Sequence, residues 1–260
     1  MKPPVRTDND QPPLPDAEAR ELCRQTRWYH RFELRPGLVT SGSSTIRPAA
    51  ACDALGVPAD LRGKKALDVG AWDGAITFEL ERRGAHAVAL DVQDPNRVGF
   101  AAARKILGSK AVHYQGSVYQ LPCAEMSNFD LIVFRGVYYH LKHPILAFER
   151  CAMALRVGGT LHVAGAALGN HAADTSGDLV PFDLEPLRDA GVALCTVYPG
   201  KRAGGSAWFI PNEACLRAWL EVSGLSVVKL EISGDGSTAR LFGSARKEKE
   251  FSEVLEHPLY

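Results

Sequence analysis

The sequence has no excess of charge: 30 Lys and Arg stand against 30 Asp and Glu in 260 residues. A balanced chain gains no general electrostatic pull towards nucleic acid or an anionic membrane, so any such contact must be local. The six cysteines (Cys23, Cys52, Cys123, Cys151, Cys195, Cys215) include no Cys-x-x-Cys pair. Their scatter argues against a zinc site or a disulfide framework and for reduced thiols. No apolar run is long enough to span a bilayer, no charged-then-apolar leader opens the chain, and no repeat is visible. These absences predict a cytoplasmic protein without a membrane partner. Length and ordinary composition allow one large domain with additions.

A further absence lies in the stretch 67–74, Leu-Asp-Val-Gly-Ala-Trp-Asp-Gly. An apolar run leads into it and a helical apolar face (Ile76, Phe78, Leu80) follows, so the chain reads as strand, glycine turn, helix. Such a turn delivers backbone N–H groups and a helix N-terminus to one crevice. Gly70 admits a ligand against the main chain, and Gly74 allows close packing of the helix. The next strand ends at Asp91, about 20 residues on, the spacing for gripping ribose hydroxyls. Nicotinamide-binding turns carry Gly-x-Gly-x-x-Gly, but here Trp72 replaces the middle glycine and Asp68 precedes the first. An acid there suits a ligand with an ammonium group and no pyrophosphate. The pattern resembles motif I of the class I S-adenosylmethionine-dependent methyltransferases, in which the acid helps hold the methionine end. An NAD(P)-binding Rossmann oxidoreductase ranks behind it.

Around this turn the chain divides by pattern. Residues 1–16 hold five prolines and no apolar period, predicting a disordered leader. Residues 17–60 read as a helical, lid-forming segment, with 43–60 broken at Pro48 and Pro58. Arg20, Arg24, Arg27 and Arg31 are spaced to share one helical face, either a phosphate-contacting stripe or, with more weight, a solvated face. Trp28, Tyr29 and His30 precede the turn at 35–37; they either stack on a flat substrate or anchor the helix.

Strands alternating with helices over 61–246 predict an α/β fold: a doubly wound, mostly parallel seven-stranded sheet, Rossmann-like, closing in an antiparallel hairpin at 226–232 and 239–245. Residues 165–210 break the cadence, are rich in Gly, Asp and Pro, and predict a functional insert after the fifth strand. Asn212 is placed to cap the helix that follows. Residues 247–260 read as a peripheral tail.

In such sheets ligands lie beyond the carboxyl ends of the strands. The turn 116–122 brings Ser117, Val118 and Tyr119 to the place where class I methyltransferases bind adenine, without the acid common there. The fourth strand ends at Arg135, followed by Tyr139 and His140. Methyl transfer is an in-line displacement, for which alignment is worth roughly 7–11 kcal/mol. A base is needed only for an acceptor with a high-pKa proton; His140, then His30, are the candidates, each equally readable as a structural histidine. No acidic partner stands at metal-ligand spacing, so no metal is expected.

Three stretches, 67–74, 136–140 (Gly-Val-Tyr-Tyr-His) and 208–211 (Trp-Phe-Ile-Pro), together resemble the tRNA wobble-uridine (mo5U34) methyltransferase-like family, which contains the tRNA U34 carboxymethyltransferases. The stretch 28–42 is similar to the lead-in of its shorter members. The resemblance runs from about Trp28 to Gly224 and implies cofactor contacts at Gly70, Asp91, Val92, Gln93, Val118, Tyr119, Arg135 and Tyr139. Two departures matter. The Pro-Trp-Arg-Lys-Gly-Pro and Trp-Lys-Trp segments that handle the carboxylated cofactor and the tRNA have no counterpart, and the long N-terminal extension of the tRNA enzymes is not found here. The expectation is therefore S-adenosyl-L-methionine, ahead of carboxy-S-adenosyl-L-methionine, and a small-molecule acceptor, nucleoside or natural product, ahead of RNA. Carboxymethyl or methyl transfer to a tRNA wobble uridine is the alternative, with Arg135 as the residue that would favour an extra carboxylate. A binding module that has lost chemistry is a weaker reading, because the glycines and carboxylates are intact. The segment Trp28–Arg31 (Trp28, Tyr29, His30, Arg31) and the insert 165–210 are expected to close together over the acceptor, with Tyr29 and His30 facing it and Trp208 packed behind.

Overall fold

The computed structural model describes residues 5–7, 11–123, 125–174, 178–181, 183–197, 207–234 and 239–250. The chain divides into two compact units, residues 1–133 and 134–260. The strands and helices make the doubly wound, mostly parallel α/β fold that the sequence predicts.

In the first unit the strands lie in the order Val5–Thr7, Val112–Gln115, His86–Asp91 and Lys65–Val69, and the strand Phe129–Arg135 spans the division. Lys65–Val69 pairs parallel with His86–Asp91, which pairs parallel with Val112–Gln115. Strands buried on both faces need continuous apolar runs, and Ala66, Leu67, Val88, Ala89 and Leu90 are all buried. The helices Ala75–Arg82 and Phe100–Leu107 connect them, and Leu80 and Ile106 enter the core. Strand and helix boundaries agree with the sequence pattern to within a few residues.

The leader is not structureless where it is described. Val5–Thr7 adds antiparallel to Val112–Gln115, and the Leu14 N–H donates to the Lys105 carbonyl. The exposed edge of Val112–Gln115 supplies the reason: its unpaired backbone groups recruit the nearest extended segment. The first unit thus gains an edge strand that the sequence pattern does not predict.

The helix that follows spans only Asp16–Gln25. Thr26 is extended and turns both its N–H and its hydroxyl onto the Leu22 carbonyl, closing the last turn. Arg27 and Arg31 therefore leave the helix, and the four-arginine stripe does not form. Arg20 pairs with Asp16 at 2.9 Å and Arg24 with Glu21 at 2.6 Å, as on a solvated face. The sequence between is a hairpin, Glu33–Arg35 against Leu38–Val39. Pro48 does not break a helix but opens one, Pro48–Ala54, at the first-turn position where its missing N–H costs nothing. Buried Arg83 ties this helix down by donating to the Ala49 and Val57 carbonyls and to Asp53, with Glu79 as its second carboxylate.

In the second unit the strand Leu155–Ala166 begins directly after the helix Pro144–Ala154, earlier than the glycines at 158–159 suggest. It pairs antiparallel with Arg240–Arg246, which pairs antiparallel with Ser226–Ser233. This is the expected terminal hairpin. Asn212 caps Glu213–Val222, accepting from the Cys215 N–H at 2.9 Å. The insert has structure of its own. His171–Ala173 pairs with Leu179–Pro181, Cys195–Val197 pairs with Phe209–Pro211, and Leu168, Leu184, Ala207 and Ile210 form a small apolar core.

Gly74 precedes the helix Ala75–Arg82 with φ +86°, and a Cβ there would lie 2.4 Å from Phe78 Cε2 and 2.9 Å from Phe100 Cδ2. Gly37 has φ +73° with nothing within 4 Å. Gly74→Ala is expected to cost about 2–4 kcal/mol, from strain and overpacking together, and Gly37→Ala about 1–2 kcal/mol from strain alone. Urea unfolding of both variants checks the difference; equal losses would contradict the packing assigned to Gly74.

Candidate active site

The turn between Lys65–Val69 and Ala75–Arg82 is left-handed at three alternate residues: Gly70 (φ 78°), Trp72 (φ 49°) and Gly74 (φ 86°). Trp72 occupies the place of the missing middle glycine and adopts the conformation a glycine would take, at a cost of about 1–3 kcal/mol. Two bonds hold the turn: the Gly70 N–H donates to the Leu90 carbonyl at 2.8 Å, and the Trp72 N–H donates to Asp91 Oδ2 at 2.8 Å.

Two buried carboxylates flank it. Asp68 accepts from the Thr77 hydroxyl at 2.6 Å, and burial pushes its pKa up to about 6 against that bond, with the nearby Asp91 charge adding to the rise. Asp91 accepts the Trp72 N–H on one oxygen and the Gln93 N–H on the other, and burial raises its pKa too. A carboxylate offers about four lone-pair sites, so Asp91 keeps acceptor capacity beyond the N–H groups of Trp72, Gln93 and Val92.

The turn Ser117–Gln120 is fixed by a capping box. Ser117 Oγ accepts from the Tyr119 N–H at 3.3 Å, Gln120 Oε1 accepts from the Ser117 N–H at 2.5 Å, and the Gly116 N–H donates to the Asp91 carbonyl. The Ser117 hydroxyl, expected to contact the cofactor, is thus engaged in holding its own turn. Val118 is buried, while Val92 and Gln93 are exposed beside Asp91.

A third carboxylate was missed by the sequence reading. Asp73 is fully buried and accepts from the Tyr29 N–H (3.1 Å) and the His30 N–H (2.7 Å); its other oxygen lies 2.5 Å from His30 Nδ1. The Tyr29 ring stands 5.0 Å from the Trp72 ring and 4.7 Å from that of His30. Tyr29, His30 and Trp72 are therefore gathered on the glycine turn. The signal available was an acid inside the turn itself, with no lysine or arginine nearby in sequence to answer it.

Residues 67–163 match the family model described as a methyltransferase domain. Over those residues the chain is similar to methyltransferase domains. It is 30% identical over 176 residues to a tRNA U34 carboxymethyltransferase of Klebsiella pneumoniae, a match covering 66% of this chain and 46% of that protein. The tRNA U34 carboxymethyltransferase of Colwellia psychrerythraea is 29% identical, covering 66% and 47%. The chain thus matches just under half the length of these curated relatives. Among solved structures, the N-terminal domain of EvdMO1 with SAH bound has a TM-score of 0.61 at 20% identity, covering 90% of this chain and 98% of that one. An S-adenosylmethionine-dependent methyltransferase from Mesorhizobium loti has a TM-score of 0.57 at 18% identity, covering 76% and 97%. At these identities the likeness is one of fold.

The structure redistributes some expected roles. Trp28 is buried, donates its indole N–H to the Cys23 carbonyl at 2.8 Å and meets Phe32 edge-on. A Cβ on Gly99 would lie 2.3 Å from its ring. It anchors the segment and is not placed to stack on a substrate. Arg31 is exposed on the short strand His30–Arg31. In the second unit Arg135 ends its strand half-buried, and Tyr139 and His140 follow in a single 3-10 turn with rings 4.1 Å apart. Tyr138 is the buried member, its hydroxyl donating to the Ala166 carbonyl at 2.6 Å. The Trp208 N–H donates to the Tyr139 carbonyl at 2.7 Å, and Lys142 Nζ sits 4.7 Å from the Trp208 ring centre. Trp208 thus fixes the insert to the turn that carries Tyr139. Among the described residues no group of three or more His, Cys, Asp or Glu is arranged to hold a metal, and no helix is long and apolar enough to cross a membrane.

The raised Asp68 pKa has a measurable consequence. The folded state holds this proton more tightly than the unfolded chain, so the stabilisation is full below about pH 4 and is lost as pH rises through about 6. Relative to Asp68→Asn, the wild type is expected to lose about 2 kcal/mol of stability between pH 4 and pH 7. Denaturant unfolding at both pH values measures it; a pH-independent difference would contradict a buried, hard-to-ionise Asp68.

Proposed function

We propose that this protein is an S-adenosylmethionine-dependent methyltransferase acting on a small-molecule acceptor, with the cofactor held by Asp68, Gly70, Trp72, Gly74, Asp91, Val92, Gln93 and the turn at Ser117, Val118 and Tyr119. The observation that carries this reading is the left-handed turn set between two buried carboxylates. Its residues fit that cofactor. Asp68, costly to ionise when alone, gains from a cationic partner such as an ammonium group. Asp91 has acceptor capacity left for ribose hydroxyls, and residues 70–74 offer main chain where side chains would obstruct. When bound, the cofactor supplies an electrophilic methyl group on a sulfonium.

The residues gathered on the turn would serve the acceptor. Asp73 faces His30 Nδ1, which places the ring proton there and leaves Nε2 as the basic nitrogen. His30 Nε2 would take the acceptor's proton, and Tyr29, 46% exposed beside Trp72, would present a flat aromatic face to it. Asp73 is a positioning residue that acts through His30. His140 and Tyr139 remain the second unit's candidates for the same role, and Arg135 for an anionic group.

The relatives' printed activity supports a second reading, carboxymethyl or methyl transfer to a tRNA wobble uridine. Against it stands the arginine row that leaves its helix at Gln25 and so offers no aligned stripe of phosphate contacts. Incubating the protein with methyl-labelled cofactor and separate metabolite and RNA pools decides between acceptors. Label is expected in the metabolite pool; label confined to RNA would overturn the small-molecule reading. His30→Ala is expected to lower turnover about 10²–10³-fold, with Tyr29→Ala lowering it less and cofactor affinity nearly unchanged in both. Equal loss of melting temperature, cofactor affinity and activity would reduce both residues to anchors.

A further inference from the structure

We infer that Cys195 and Cys215 are a dithiol that closes to a disulfide when the protein meets a hydroperoxide, a modification site in the insert that is independent of methyl transfer. Cys195 opens the strand Cys195–Val197 and stands opposite Pro211 in the antiparallel pair with Phe209–Pro211. The next residue, Asn212, binds both neighbourhoods through one atom. Its Oδ1 accepts from the Leu194 N–H at 3.0 Å and from the Cys215 N–H at 2.9 Å, while its own N–H donates to the Leu194 carbonyl at 2.9 Å. The side-chain amide also donates to the Val192 carbonyl at 2.8 Å, fixing the chain just ahead of Cys195. The backbone of Cys215 and that of the residue before Cys195 are thereby held around a single oxygen, which brings the two cysteines near enough for each to perturb the other's thiol, while the Cys195 thiol donates to the Thr196 carbonyl at 3.7 Å.

The two sulfurs are not equivalent. Cys215 is the third residue of the helix Glu213–Val222, where unpaired N–H groups and the helix dipole favour a thiolate. The neighbouring Cys195 thiol lowers the Cys215 pKa against the effect of burial, in the same sense as the helix N-terminus. Cys215 is buried, like most of the remaining cysteines, but it alone stands at a helix N-terminus. Burial pushes Cys52 up to about 12 and raises Cys23, Cys123 and Cys151, which keeps them as unreactive thiols. A cleft of about 430 Å³ in the same unit is lined by Ala193, Asn212, Glu213 and Ala214, chain neighbours of both reactive residues. Cys195 itself is partly exposed.

The chemistry balances with the peroxide as oxidant. The Cys215 thiolate attacks one peroxide oxygen, the O–O bond breaks, hydroxide leaves, and Cys215 becomes a sulfenic acid. The Cys195 sulfur then attacks the Cys215 sulfur, the S–O bond breaks, and the Cys195 proton leaves with the hydroxyl as water. Two thiols lose one electron each, and one peroxide is reduced to two waters. The new bond closes the base of the segment carrying Trp208, which bonds to the Tyr139 carbonyl.

The test uses the full chain treated with hydrogen peroxide, alkylated, digested and read by mass spectrometry. Two thiols are expected to escape alkylation, recovered as one linked peptide pair containing Cys195 and Cys215 and restored to free thiols by dithiothreitol. Alkylation of both residues, a link to any other cysteine, or unlinked oxidation of Cys215 to the sulfinic acid in the wild type would overturn the inference. In Cys195→Ser, Cys215 is expected to stop at a sulfenic acid that dimedone traps. Loss of two alkylatable thiols in that variant would also overturn it, and the wild-type result decides should the variant fail to fold.

Discussion

The carboxylate of Asp73 joins two parts of the chain that would otherwise have no reason to meet. It is fully buried, and a buried carboxylate costs several kcal/mol unless donors surround it. Here the donors are the Tyr29 and His30 N–H groups, with the His30 ring on the other oxygen. The constraint runs both ways: the segment at 29–30 cannot leave without stranding a charge, and the turn at 70–74 cannot change shape without losing that segment. The aromatic set Tyr29–His30–Trp72 follows from it, as does the left-handed conformation of a tryptophan where glycine is usual.

Asp68 and Asp91 extend the same logic to the ends of adjacent strands. Both are buried, both resist ionisation, and both are answered by hydroxyl or backbone donors and by no lysine or arginine. Three carboxylates around one turn leave a local excess of acceptors, the arrangement a cationic, hydroxyl-bearing ligand relieves. The methyltransferase reading rests on this electrostatic surplus more than on the glycines, which serve many crossovers equally well.

Much of this was legible in the sequence where the interaction is local or periodic. The alternation of strands and helices, the terminal hairpin and the Asn212 cap each depend on residues a few positions apart. The glycine turn was readable for the same reason. What escaped depends on partners far apart in the chain. Asp73 and His30 are separated by 43 residues, and neither has a local feature that names the other. Trp28 offered equal grounds for substrate and core, and only Gly99, whose missing side chain receives its ring, decides the matter. The insert read as patternless because its strands are only three residues long, too short for a period, although Leu168, Leu184, Ala207 and Ile210 still assemble a core. The arginine row misled because a periodic reading continues through Thr26, while the chain does not.

The most direct measurement of the central claim is calorimetric titration of the wild-type protein with S-adenosylhomocysteine, and in parallel with NADH and NADPH. The account predicts saturable, one-to-one binding of S-adenosylhomocysteine that weakens in Asp91→Ala, with no heat from either nicotinamide. Binding of a nicotinamide, or no S-adenosylhomocysteine binding at millimolar ligand, would contradict it.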